Sequence, residues 1–224
     1  MITEHRRNSY LLAGLLMTTA AGGLAATGDG WHLAPGAPTP GHESLACDDC
    51  HRPAAGTTRQ QLQALVRYAV GARQTPPQLG TVEVDSRPCG ECHQRPMDVH
   101  PLHRFREPRF RTARANLHAD ECLGCHLEHQ GVRVARDGAF CGECHGSTMI
   151  KDDPTEPSHE TLLSTQRWDT CLQCHDFHGN HDHTPPERLG TANPASVVAA
   201  HLGDGDREAA YGPVLHDAAP SDEP

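Results

Sequence analysis

Ten cysteines fall into five C-x-x-C pairs with none left over, and a histidine follows each pair at once. The units are Cys47, Cys50 and His51; Cys89, Cys92 and His93; Cys122, Cys125 and His126; Cys141, Cys144 and His145; and Cys171, Cys174 and His175. With 18 histidines in 224 residues, five hits in five trials need a cause. C-x-x-C-H is the attachment signal for haem c. Each cysteine sulfur adds to one vinyl group of the porphyrin, and the two intervening residues set the separation of the sulfurs. The adjacent histidine reaches the iron from the proximal side. Zinc sites also use paired cysteines, but they do not require a histidine after every pair. Thioredoxin-like redox pairs expect a βαβ pattern, which is absent. Structural disulfides have no reason to choose five near-identical short loops. The expected cofactor is therefore haem c, five per chain and covalently attached.

Five such groups constrain the fold. Apolar residues are 36% of the chain and aromatics only 4%, with much of that in the first 28 residues. A polypeptide core this thin barely offsets the entropy of ordering the chain. Five porphyrins supply the missing apolar surface. No segment shows sustained strand alternation. The sequence predicts a mostly irregular chain with short α-helices at the haem motifs, wrapped around a packed haem core, with little or no β-sheet.

The motifs themselves repeat. After Pro88, C-G-E-C-H at Cys89 is followed by C-L-G-C-H-L-E-H at Cys122. Then C-G-E-C-H at Cys141 is followed by C-L-Q-C-H-D-F-H at Cys171. The alternation reads as a duplicated two-haem unit, with the Cys47 motif alone in front. Between the first two motifs, Leu62, Leu65, Val66, Ala69 and Val70 follow helical i, i+3, i+4 spacing. That stripe is expected to cover a haem or a neighbouring helix.

Residues 1–28 carry Arg6 and Arg7, a short apolar run from Leu11 to Met17, and small residues after it. This resembles a secretory signal peptide. The alternative is a retained N-terminal anchor, since the uncharged run is just long enough to span a bilayer but is weakened by Gly and Thr. Either reading places the haem region outside the cytoplasm, in the periplasm or on the periplasmic face of the membrane. Residues 29–41, rich in Pro and Gly, read as a linker. Residues 42–183 form the expected haem domain. Residues 184–224 carry no further motif and read as a largely flexible acidic tail.

Thirteen histidines remain once the proximal ones are set aside. His42, His100, His103, His118, His129 and His178 stand within a few residues of a motif, and His159 lies twelve before Cys171. His129 and His178 each fall three residues after a proximal histidine. If the motif continues as a helix, residues three apart face the same way. His129 then cannot reach the far side of the haem that His126 holds, and must bind a neighbouring one; the same holds for His178 and His175. Outside the leader only Met97 and Met149 remain as methionine ligands, too few for five irons. Bis-histidine ligation at low potential is the expectation.

These motifs and the histidines His42, His118, His129 and His159 resemble the small multihaem cytochromes c of the cytochrome c3/c7 type, over about residues 42–183. The resemblance implies a fold dominated by haem packing, bis-histidine irons and electron transfer. A haem-dependent reductase of the nitrite or hydroxylamine type is the rival. It needs an iron with an open position, and pentahaem nitrite reductases mark theirs with C-x-x-C-K; here all five motifs end in histidine. A structural subunit of a membrane or filament redox complex is a third reading. Nineteen basic against twenty-nine acidic residues give a net charge of −10, before any propionate is counted. That disfavours nucleic acid and favours redox partner proteins with basic docking faces. A membrane quinol-oxidising or reductase complex is a second class of partner.

Overall fold

The computed structural model describes residues 4–26 and 36–219. The chain divides into two units, Met1–Pro35 and Gly36–Pro224. In the first, α1 runs from Glu4 to Ala26. It covers the leader, and among the described residues no helix is long and apolar enough to cross a membrane. Most of the expected linker, residues 29–35, lies outside the described residues.

The second unit is built of short helices: α2 (Cys47–Cys50), α3 (Thr58–Ala69), α4 (Ser86–Cys92), α5 (Leu102–Phe105), α6 (Arg111–Leu117), α7 (Gly142–His145), α8 (His159–Ser164), α9 (Cys171–Cys174) and α10 (Ala195–Leu202). Single 3-10 turns, such as Cys122–Gly124 and Gly138–Cys141, join them. The described residues contain no strand, only three isolated bridges. The expected class, mostly irregular with short helices, agrees with this.

The polypeptide core is thin. Buried hydrophobic residues are Ala54, Ala113, Leu117, Leu172, Cys174, Val198, Ala210 and Tyr211, and among the described residues no large side chain is fully buried. Most of the fold is held by local caps and by backbone bonds between loops. Asp85 caps α4 by accepting from Arg87 N at 2.9 Å. Asp137 does the same for Ala139 N at 3.0 Å, opening the turn into Cys141. Both aspartates stand four residues before the first cysteine of a C-G-E-C-H motif, so the repeat read from the motifs extends to its caps.

Two ends of the domain differ from expectation. The chain joins the domain at Gly36, six residues ahead of the expected boundary at His42. A Cβ on Gly36 would lie 2.1 Å from His129 O, so only glycine fits where these two backbones cross. Gly131 N donates to Ala37 O at 3.1 Å, and Thr39 N to Glu128 Oε2 at 3.0 Å. At the other end, the described part of the segment expected to be a tail is packed. Tyr211 is buried and its hydroxyl donates to Leu172 O. Val134 N donates to Leu202 O, Asn193 N to Gln173 O, and Ala219 N to Cys92 O. A few apolar contacts and backbone bonds, too sparse to mark a helix pattern over most of the stretch, fix it. Residues 220–224 lie outside the described residues.

Helix α3 forms where the spacing predicts it, with Thr57 and Gln60 as a capping box. Its apolar stripe, however, covers nothing in the chain: Leu62, Val66 and Val70 are exposed.

Candidate ligand pairs at the cysteine motifs

The five motifs share one local geometry. In four of them the histidine N–H donates to the carbonyl of the first cysteine: His51 to Cys47, His93 to Cys89, His126 to Cys122 and His175 to Cys171, at 2.8–2.9 Å. A single turn sets the two cysteines side by side. It then stops, and only α7 includes its histidine. His51, His93 and His175 are C-cap residues outside the helical region. The helix expected to carry His126 through to His129 therefore does not form. His129 instead stands in the left-handed region at φ 64°.

The ten cysteines form no disulfide with one another. Cys122 N donates to Ser86 Oγ at 2.8 Å, in the helix that carries Cys89. Gly138 and Gly142, on either side of Cys141, lie close against Trp168, which opens the turn into Cys171. Each duplicated unit is a spatial pair of motifs.

Each proximal histidine faces one other histidine at a near-constant distance. His51 faces His129, with ring centroids 6.3 Å apart. His93 faces His42 at 5.9 Å. His126 faces His178, His145 faces His100, and His175 faces His159, each at 6.1 Å. Two imidazoles on opposite sides of one metal, with bonds of about 2 Å, have centroids about 6 Å apart once half of each ring is added. The spacing fits two axial ligands and an iron between them. Among the described residues, no group of three or more His, Cys, Asp and Glu could hold a metal ion. A haem iron needs only two ligands from the chain, because the macrocycle supplies the rest.

His129 and His178 each pair with a histidine of a different motif from the one they follow, as the sequence predicts, although by a loop and not by a helix face. His42, His100 and His159 also pair. His103 and His118 do not: both are exposed, and neither ring lies against a proximal histidine. His118 ends α6 in the left-handed region, at φ 52°. Its carbonyl accepts from Glu121 N at 3.0 Å, just ahead of Cys122. The position four before the motif thus serves the backbone turn.

In six of these ten histidines the second ring nitrogen has a partner. His42 Nδ1 bonds Glu128 Oε1 at 2.6 Å, His159 Nδ1 bonds Asp153 Oδ1 at 2.9 Å, and His178 Nδ1 bonds Asp98 Oδ2 at 3.1 Å. Nδ1 of His100 donates to Phe177 O at 2.5 Å, that of His126 to Arg133 O at 2.7 Å, and that of His145 lies 3.3 Å from Thr148 Oγ1. With Nδ1 held, the tautomer is set and Nε2 is left as the free ligand atom. His129 Nδ1 is buried and has no partner. Burial holds the imidazoles of His93, His145 and His175 below the ordinary range and pushes His126 down to about 4. Neutral imidazole is the form that binds metal.

Sequence reasoning missed the three carboxylates. Asp98 also accepts from His100 N at 2.8 Å, so one side chain positions two distal candidates, His100 and His178. Asp153 accepts from the backbone and the ring of His159 together. Glu128 bonds His42 and Thr39 N, tying the start of the domain to the third motif. Burial opposes ionisation of Glu128, but the His42 hydrogen bond and the Thr39 amide outweigh it and bring the carboxyl down to about 2. The signal was present: Asp98 lies two residues before His100, and Glu128 directly before His129. Comparison with protein-family models, with curated proteins and with solved structures gives no match for the chain.

Proposed function

We propose that the chain is an exported multihaem cytochrome c of the cytochrome c3/c7 kind, which relays electrons through five covalently bound, bis-histidine, low-potential haems. The observation that carries this reading is the pairing: each of the five proximal histidines faces one distal histidine at 5.9–6.3 Å. The thin polypeptide core supports it as well, since the haems would fill what the side chains do not.

The chain's own residues would do three things. The cysteine pairs tether each group and the histidine pairs hold the iron from both sides. Asp98, Glu128 and Asp153 orient distal ligands and make them stronger donors. Haem supplies the one-electron chemistry. Adjacency of the motifs gives an order. The Cys47 and Cys89 motifs meet through Arg52 and Glu91. Those of Cys89 and Cys122 meet through Ser86, and those of Cys141 and Cys171 meet at Trp168. His178, three residues after His175, faces His126 and joins the two pairs. Electrons would pass along the motifs of Cys47, Cys89, Cys122, Cys171 and Cys141 in that spatial order.

Protein matured with the haem-attachment machinery and isolated from the periplasmic fraction should show five haems by intact mass. The same spectrum reads whether residues 1–28 remain. A chain that binds zinc and carries no covalent haem would falsify the proposal.

Glu128 gives a finer test. Its negative charge on His42 favours ferric over ferrous iron at the Cys89 motif. Glu128→Gln should raise one midpoint potential of the five by on the order of 50 mV, close to the 59 mV of a tenfold change for one electron. A redox titration followed by absorbance measures it. Five unchanged potentials would show that the carboxylate only anchors the backbone of Thr39.

A further inference from the structure

Helix α3 is held to the domain mainly through one polar residue and leaves several aliphatic side chains exposed. Gln61 is its inward anchor: Nε2 donates to Ala54 O at 3.1 Å and Gly56 O at 3.2 Å, and Oε1 accepts from Gly80 N at 2.9 Å. Only Gln61 and Ala64 are partly sheltered along the helix. At 100° per residue, Leu62, Val66 and Val70 lie about 100°, 140° and 180° round the helix from that anchor, with Leu65 and Ala69 nearer to it. Leu62 is 54% exposed, Val66 61% and Val70 71%.

Charge singles out the same element. From His51 to Val82 there are four arginines and no acidic residue, in a chain of net charge −10. Arg52 pairs with Glu91. Among the described residues no carboxylate pairs with Arg59, Arg67 or Arg73, and no acidic residue stands between them in sequence. Arg67 and Arg73 line a shallow hollow beside the stripe, with Gln60, Gln63, Ala64 and Ala72.

We propose that α3 lies in the surface of an anionic lipid bilayer, with the stripe at the headgroup–acyl boundary and Arg59, Arg67 and Arg73 on lipid phosphates. A helix with one aliphatic face and arginines at its flanks is the form that binds in this plane. The long guanidinium side chains reach the headgroups while their stems add apolar area. Basic residues next to an anionic surface strengthen the attachment, and salt weakens it. A protein interface would call for aromatic anchors and fixed hydrogen bonds; this face is aliphatic, and Tyr68 lies about 20° from Gln61 on the anchored side. The rest of the chain is acidic and repelled by such a surface, so attachment through α3 sets the orientation of the domain. This inference does not depend on the number of haems.

The test is hydrogen exchange of the full haem-loaded chain, read on peptides covering residues 58–70. Vesicles containing phosphatidylglycerol should slow these amides about tenfold or more, and vesicles of phosphatidylcholine alone should not, as expected for three arginines near the surface. Salt should remove the protection. The exposed double variant Leu62→Asp and Val66→Asp should abolish it. The triple variant Arg59→Gln, Arg67→Gln and Arg73→Gln should remove the preference for anionic lipid. Protection confined to α1 overturns the proposal, as does α3 exchange that vesicles leave unchanged. Protection of α3 by an acidic protein and not by vesicles overturns it in favour of protein docking. The absorbance spectrum of the same sample reports the haems separately.

Discussion

Replacing His129 by Ala should turn one iron in five high-spin, the one tethered by Cys47 and Cys50, while all five haems stay attached. The thioethers do not depend on the distal side, so the effect is confined to the ligand field. His129 faces His51 at 6.3 Å, and no methionine stands ready to replace it: Met97 and Met149 are 74% and 95% exposed. The same change at His42, His178, His100 or His159 should each convert a different iron, those of the Cys89, Cys122, Cys141 and Cys171 motifs in turn. His103→Ala and His118→Ala should leave the spectrum as it is, because neither ring faces a proximal histidine. Electron paramagnetic resonance of the oxidised protein separates high-spin from low-spin iron and counts both. The assignment fails if His129→Ala resembles wild type, or if His103→Ala or His118→Ala creates a high-spin iron.

Those seven histidines show how far the sequence could be read. The proximal set follows from a covalent motif of fixed spacing, so His51, His93, His126, His145 and His175 needed no fold to find them. The distal set depends on which loops meet. His178 reaches His126 because residues 98–100 run beside residues 177–179, where Val99 N donates to His178 O at 3.2 Å. Nothing local to His178 encodes that. His118 looked equivalent to a ligand by its position near Cys122, yet it sits at a helix end in the left-handed region. Sequence proximity ranked it with His129, which shares the left-handed backbone; what separates them is that His129 lies against His51 and His118 is exposed.

The argument that placed His129 on a neighbouring haem reached its conclusion through a helix that does not form. The turn ends at Cys125, and the chain crosses Gly36 where His129 sits. What survives is the outcome: His129 lies against His51 and His178 against His126, each at a motif other than the one it follows. Helix α3 is the opposite case. Periodicity located it correctly, but periodicity identifies an apolar face and is silent on what that face meets. The bonds of Gln61 to residues 54–56 and Gly80 fix how the helix sits and leave Leu62, Val66 and Val70 exposed, and one glutamine in an amphipathic pattern does not announce that orientation. The packing of α10 and Tyr211 was hidden for a related reason. It uses single contacts, such as the Tyr211 hydroxyl on Leu172 O and His183 Nε2 on Cys174 O at 2.9 Å, spread over a stretch of low-complexity composition.

The second large effect expected is a negative one at the substrate level. The reduced protein should bind carbon monoxide poorly, and the oxidised protein should give almost wholly low-spin signals. It should also reduce nitrite or hydroxylamine slowly compared with its exchange of electrons with a redox partner. Exogenous ligands need a vacant axial position, and in the proposed arrangement the histidine pairs would fill both axial positions at all five motifs. Each of the five pairs has at least one ring fixed through Nδ1 except His51 with His129, where His129 Nδ1 is buried without a partner. That pair lacks the hydrogen bond that steadies the others, so it is the first place where a distal ligand would swing away. If carbon monoxide binds at all, it should do so at the haem of the Cys47 motif, and the His129→Ala variant should bind it stoichiometrically at one iron in five. A wild-type protein with one full high-spin haem and rapid nitrite turnover would reverse the assignment and make that iron a catalytic centre. A high-spin haem at any other motif would contradict the ligand pairs themselves, because their rings are held from behind by Glu128, Phe177, Arg133, Asp98 and Asp153.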